Sequence, residues 1–423
     1  MDPKIISLVL FVASYVLFVF LSGKRTLIAL AASGALLLTG ALSLREAFWA
    51  INWNVMGIFV GTLVVADVFM ESRVPAFLAE VIVRRAKSTA WAILLICALT
   101  GFISAFVENV ATVLIVAPLA MALAKKLNIN PIKMMIAIAV SSNLQGTATL
   151  IGDPPSMLLG GFAKMNFMDF FFYKGRPSIF FAVELGAFVS FVVLYVIFRK
   201  HREKARLVSI EKVKSWFPTM LLVGLIIALA VSSFFDIGFS YMAGSLSMIA
   251  GFIAMAWEKF VNKGSLWQGM KKLDWDTTFF LVGVFILVGS ITVTGWIETL
   301  ASFLSGIVGS NIFVGYTLLV VFSVVLSAFV DNVPFLAAML PVAMSMADKL
   351  SINPSLLLFG LLIGASLGGN ITPIGASANI VACGLLKKEG HNVSFKEFAK
   401  IGIPFTLAAV SAAYLFVWFI WSK

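Results

Sequence analysis

Apolar segments recur along the whole chain, near 5–21, 26–43, 51–70, 89–107, 110–124, 132–162, 178–198, 216–235, 237–257, 276–295, 311–330, 333–347, 355–386 and 401–421. None alternates apolar and polar positions with period two, so the pattern predicts helices and not the strands of a barrel. Crossing the hydrocarbon core takes roughly 20 apolar residues, and many segments reach that length. The first, 5–21, lacks a small-residue cleavage site followed by a polar domain and reads as a span, not a removable signal. The longest polar stretch, RKHREKARLVSIEKVKS at 199–215, divides the chain into halves of nearly equal length. The expected organisation is a first repeat over 1–198, a basic linker over 199–215 placed in the cytoplasm, and a second repeat over 216–423.

The halves repeat each other. FVENV (106–110) matches FVDNV (329–333), KKLNINP (125–131) matches DKLSINP (348–354), and GTATLIG (146–152) matches GNITPIG (369–375). All are offset by 223 positions, and Pro118 falls on Pro341 in the same register. Upstream, Trp53-Asn54 and Trp275-Asp276 mark equivalent spans at nearly that offset. Scattered apolar matches follow from composition; matched Asn, Pro, Lys and Gly do not. Placing the basic loops on one side, including Lys24-Arg25, Arg84-Arg85, Lys125-Lys126, Lys271-Lys272 and Lys387-Lys388, gives the two repeats opposite sense. The parity requires 89–124 to be a hairpin that enters and leaves by one face, or a pair of full spans. The predicted fold is an all-α polytopic membrane protein. It has two inverted repeats, about ten transmembrane helices, two re-entrant hairpins and two discontinuous helices, with interfacial amphipathic helices at 74–87 and 296–306.

Composition agrees with this. With 61% hydrophobic and 12% charged residues, the chain carries more apolar surface than a soluble protein of 423 residues can hide. The formal charge of +11 sits in short loops and reads as a topology signal, not as a nucleic-acid surface. Cys97 and Cys383 lie singly in apolar segments, with no metal spacing or disulfide framework. No nucleophile elbow, metal cluster or phosphate-cradling GxxxxGK[ST] is present, so neither an enzyme nor a pump with its own ATPase domain is expected.

Polar groups at membrane depth are expensive and therefore informative. They form four clusters: Glu108-Asn109 with Thr112; Ser141-Ser142-Asn143 with Thr147, Thr149 and Asp153; Asp331-Asn332; and Ser366, Asn370, Thr372, Ser377 and Asn379. The second and fourth mix Gly, Pro and Thr into apolar segments. Such a segment is either a packed kink or a discontinuous helix whose free backbone groups line a wet cavity, and the matched pair favours a binding site. Glu108 and Asp331 each admit two compatible readings, a helix N-cap and an ion ligand. Desolvation favours the neutral form of a carboxylate and a nearby cation favours the charged form, so one group can carry either a proton or a cation. His201 and His391 read as solvated, and FMDFFFYKGRP (167–177) as an aromatic interfacial belt.

SAFVENVATVLIVAPLAMALAKKLNINP, GTATLIGDPPS, LSAFVDNVPFLAAMLPV and GASLGGNITPIGASANIV resemble the ion transporter superfamily. That superfamily includes arsenite permeases, D-type sodium/proton antiporters, the melanosomal P protein and the divalent-anion/sodium symporters, and the P-protein branch is the most similar. The resemblance implies scaffold and transport domains, elevator-type motion, a homodimer in the plasma membrane and no cofactor beyond a sodium ion. In the divalent-anion symporters the hairpin tips carry Ser-Asn-Thr, which binds sodium and substrate carboxylates. The matching residues here are Glu108-Asn109-Val110 and Asp331-Asn332-Val333, so a sodium site would use Glu108, Asn109, Asp331 and Asn332. A carboxylate in place of serine repels a dianion and suits a cation, a proton or neutral arsenous acid. The expected function is an ion-coupled secondary transporter of a small inorganic ion, performing sodium/proton exchange or arsenite efflux. The alternatives are a sodium-coupled organic-anion symporter and an anion channel on the same fold.

Overall fold

The computed structural model describes residues 2–126, 129–203, 212–236, 238–309 and 311–423. Part of the basic linker (204–211) and Leu127-Asn128 of the first KKLNINP motif lie outside the described residues. Twenty α-helices occur among the described residues, and they fall into two sets of ten in the same order. The first set is α1 (Pro3–Phe20), α2 (Arg25–Leu38), α3 (Leu44–Ala50), α4 (Trp53–Glu71), α5 (Val74–Arg85), α6 (Thr89–Ser104), α7 (Asn109–Lys126), α8 (Pro131–Gly146), α9 (Pro154–Ala163) and α10 (Ile179–Phe198). The second is α11 (Phe217–Ser232), α12 (Met242–Phe260), α13 (Leu266–Lys272), α14 (Trp275–Val293), α15 (Trp296–Val308), α16 (Ile312–Ser327), α17 (Asn332–Leu350), α18 (Pro354–Gly368), α19 (Ser377–Lys388) and α20 (Phe395–Trp421). Seven of these helices are long and apolar enough to cross a membrane, and α2, α6, α7 and α11 are shorter apolar helices. The protein is an all-α polytopic membrane protein.

Each repeated motif has a local structural job. In the two Asn-Pro pairs the asparagine is the N-cap and the proline the first helical residue. Asn130 Oδ1 accepts from Ile132 N at 2.9 Å and Asn353 Oδ1 from Ser355 N at 3.1 Å. Proline lacks the N–H that would otherwise be orphaned there. Upstream, Asn52 Oδ1 accepts from Val55 N and Asp274 Oδ1 from Thr277 N, starting α4 and α14 alike.

The Gly-Thr-Gly segments 146–152 and 369–375 break the long apolar runs. Thr149 Oγ1 donates to the carbonyl of Ala105, at the turn between α6 and α7. Thr372 Oγ1 donates to that of Ala328, at the equivalent turn between α16 and α17. A side chain on Gly152 would collide with the carbonyl of Gly146, and one on Gly375 with that of Gly369. Only glycine lets the two ends of each break pass this closely.

The halves also exchange helices. In lipid, helix association relies on close packing rather than on expulsion of water, and small residues supply it. Gly61 of α4 lies against the backbone of Ser247 on α12, and Gly283 of α14 against Ala29 on α2. Each half therefore grips the other through the same pair of helices.

One segment differs from expectation. The Phe-rich stretch 167–177 is not simply an interfacial belt: Phe167 and Phe170 are buried. Phe172–Tyr173 and Arg176–Pro177 form a two-stranded antiparallel ribbon. Lys174 and Gly175 turn it with φ of 49° and 76°, the pair of positive angles that a tight hairpin needs. Arg176 Nη1 donates to the Ile420 carbonyl at 2.8 Å, tying this ribbon to the end of α20.

Replacing Gly152 or Gly375 by leucine is expected to lower stability by about 1–3 kcal/mol or more, the usual effect of overpacking. Gly34→Leu, at a position where an added Cβ meets no atom within 4 Å, should stay near wild type. Thermal unfolding in detergent checks both.

Candidate functional site

The two hairpin turns place their polar residues at helix starts. Glu108 Oε2 accepts from Ala111 N at 3.0 Å at the start of α7. Asp331 Oδ1 accepts from Val333 N at 3.0 Å at the start of α17. Both carboxylates are thus N-caps, which favours a negative group there, and each has a second oxygen left for another partner.

Those second oxygens have different surroundings. Asp331 Oδ2 is held in an ion pair by Arg25 Nη1, from the start of α2. Arg25 also donates through Nη2 to Thr277 Oγ1 at 3.2 Å, lies 3.7 Å from Asp276 Oδ2, and stacks over the Phe280 ring. Glu108 instead lines a cavity of about 250 Å³. Asn109, Asn143, Asp153, Asn332 and Ser377 line it from the hairpins and broken helices. Arg25, Asp274, Asp276 and Thr277 line it from α2 and the start of α14. Four carboxylates therefore face this space with one guanidinium.

The remaining predicted residues, Thr112, Thr147, Thr149, Ser366, Asn370, Thr372 and Asn379, stand behind the lining and support it. Asn143 Nδ2 donates to Asn370 Oδ1 and to Asn379 Oδ1, both at 2.9 Å. Asn379 Nδ2 donates in turn to the carbonyls of Gly369 and Thr372, and Asn370 Nδ2 to that of Val140. These amides bolt the break of one half to the break of the other. Asp153 caps α9 through Ser156 N at 2.9 Å and faces Thr147 Oγ1 at 3.5 Å. Asn109 Oδ1 accepts from Ser104 Oγ at 2.5 Å, and its carbonyl accepts from Ser142 Oγ. Thr112 Oγ1 donates to the carbonyls of Val107 and Glu108 at its own helix start. Thr149 and Thr372 serve the turn carbonyls described above. The buried Ser366 hydroxyl has no partner among the described residues.

Arg25, Asp274, Asp276 and Thr277 are the site residues that sequence reasoning missed. Arg25 was expected as a loop charge marking the cytoplasmic side. It is instead a partly shielded ion-pair partner, because the end of α1 and the start of α2 pack against Phe280 of α14 and bring it to the second hairpin. A signal existed: α3 and α4 align with α13 and α14 at an offset of 222, which carries Arg25 onto Ser247, inside an apolar segment.

A second cavity, about 490 Å³, lies behind the first hairpin, lined largely by aromatic and aliphatic side chains with Glu184 and Gln145. None of the four hairpin-tip residues Glu108, Asn109, Asp331 and Asn332 lines it, so it is separate from the site at the tips. No group of three or more His, Cys, Asp or Glu residues placed to hold a metal ion occurs among the described residues.

Hairpin tips meeting two broken helices around a charged cavity define a multi-pass membrane transporter. The chain belongs to the citrate transporter family CitMHS, whose model matches residues 15–364 and, in a second match, 317–423. An uncharacterized transporter of Mycobacterium tuberculosis is 27% identical over 424 residues, covering 98% of each chain. The human P protein is 24% identical over 491 residues, covering 95% of this chain and 58% of its own length. The resemblance to the P-protein branch is thus borne out. Among solved structures, the YdaH transporter of Alcanivorax borkumensis shares the fold, with a TM-score of 0.62 at 16% identity over 99% of this chain and 98% of its own.

Asn143→Ala leaves the amide oxygens of Asn370 and Asn379 without that donor. Unsatisfied buried groups cost about 1–3 kcal/mol each, so the variant should melt clearly below wild type. Thr112→Val should melt close to it. Unfolding in detergent, followed by the fluorescence of the ten tryptophans, reads the difference.

Proposed function

We propose that the chain is a cation-coupled secondary transporter that moves a small ion through the cavity between the hairpin tips, with Glu108 carrying the coupling proton or sodium ion. The observation that supports this most is the charge of the cavity. Glu108, Asp153, Asp274 and Asp276 line it against Arg25 alone, and Arg25 already pairs with Asp331. Negative charge in excess at membrane depth is stabilised by a proton or a metal cation and opposed to a free anion. Sodium/proton exchange and proton-coupled arsenite efflux both suit such a site. Alternating access by inverted halves, elevator motion, a homodimer and the plasma membrane complete the reading, by resemblance.

A second reading, uptake of a citrate-like anion, has its own support in the family description and in α19. The N-terminus of α19 faces the cavity through Ser377 and has no side-chain cap, whereas Asp153 caps α9. An uncapped helix N-terminus suits a carboxylate. Its charge would be tolerated only with cations bound beside it.

Proteoliposomes loaded with a pH dye test both. Sodium, lithium, arsenite and citrate gradients are imposed separately on wild type and Glu108→Gln. Proton movement driven by one of them and lost in the variant is the expected result. Coupled transport unchanged in Glu108→Gln would remove the coupling role. Labelled citrate uptake that saturates would favour the second reading.

A further inference from the structure

The two halves present the same frame to two carboxylates, yet among the described residues only Asp331 of the two is paired with a counter-ion. Asp331 is satisfied on both oxygens, by Val333 N and by Arg25. Arg25 belongs to α2, which packs on α14 of the other half. The register that aligns α3 with α13 and α4 with α14 also brings the last residue of α2 onto that of α12, and it sets Ser247 at the position of Arg25. Ser247 is buried on α12 and its hydroxyl has no partner among the described residues. The duplicated position is therefore cationic where it serves the second tip and neutral in the other half.

Arg25 is not placed for the good of its own helix. A cation in the first turn opposes the helix dipole, and α2 has no acidic residue in that turn to offset it. What holds it is the second half: Asp331, Thr277, Asp276 and the face of Phe280. A planar guanidinium meets several acceptors at once in a way that a bare metal ion also does. Its charge stands where a cation bound to Asp331 would stand.

We propose that Arg25 is a resident cation occupying the second of two duplicated cation sites, so that the carrier exchanges one coupling cation, at Glu108, rather than two. This deepens the proposed coupling role of Glu108 and rests on it for the count of one. The latent site at Asp331 stands on the Arg25 pairing alone.

The test measures the melting temperature of the full chain in detergent against sodium concentration, with choline holding ionic strength constant. Each exchangeable ion that binds only the folded state adds its own logarithmic term to stability. With one site in wild type, Arg25→Gln should respond to sodium about twice as steeply once both sites saturate. Adding Asp331→Asn should return the slope to the wild-type value. If Arg25→Gln responds no more than wild type, the inference is overturned while the Glu108 reading stands. If wild type shows no response and Arg25→Gln acquires one that Asp331→Asn removes, the latent site stands and sodium is removed as the ion carried at Glu108, leaving the proton. Should Arg25→Gln fail to purify, the double variant decides: recovered yield supports the pairing, and equal loss overturns it.

Discussion

Everything at the site depends on how the backbone is satisfied where two membrane helices break. Inside an apolar surrounding a free carbonyl or N–H is destabilising by several kcal/mol, so a break survives only if side chains take over the lost bonds. Thr149 and Thr372 do this at a distance, each donating to the carbonyl that closes the neighbouring hairpin turn. The same bond therefore serves two segments: it ends the turn and fixes where the break lies. Asn379 completes the second break by donating to two carbonyls within it. Remove these donors and the tips have no fixed position, and the carboxylates they carry have no shared cavity.

Duplication supplied one frame twice, and the chemistry lies in where the copies differ. Asn143 corresponds to Ser366, so one side of the internal axis has an amide that bridges both breaks and the other has a small hydroxyl. Asn54 corresponds to Asp276. The first accepts a bond from Gly244 N at the start of α12, and the second faces Arg25 at the start of α2. The backbone relation is kept while the charge changes. A site that is symmetric in shape is thus asymmetric in field, with a guanidinium paired to the carboxylate of the second tip.

Much of this was legible in the residues because the signals were local. The Asn-Pro caps, the Gly-Thr-Gly breaks and the carboxylate-Asn turns are each set within about one helical turn, and the gapless repeat marked them twice. Six of the predicted site residues line the cavity. Arg25 was not legible, because its partners stand some 250 to 306 positions away and a charge between two apolar segments reads first as a topology signal. Asp274 was hidden for the same kind of reason: as an N-cap it explains itself locally, and only the packing of α14 beside the hairpins turns it toward the cavity. The short ribbon at 172–177 was masked by its phenylalanines, whose hydrophobicity outweighed the turn signal of Lys174-Gly175.

The cavity walls come from two groups of elements. Glu108, Asn143, Asp153, Asn332 and Ser377 belong to the hairpins and broken helices, which the asparagine bridge ties together; Arg25, Phe59, Asp274 and Thr277 belong to α2, α4 and α14. On the proposed elevator motion the first group slides past the second, and the Arg25–Asp331 ion pair crosses that boundary. Separating it would leave two charges unpaired at membrane depth, which is far costlier than exposing either hairpin's apolar surface to lipid. The motion is therefore permitted only if Arg25 finds Asp276 or Asp274 as it leaves Asp331, and if the charge left on the moving group is offset. A cation held at Glu108 does that. A carrier built this way would move poorly when empty and readily when loaded, which is the condition for coupling.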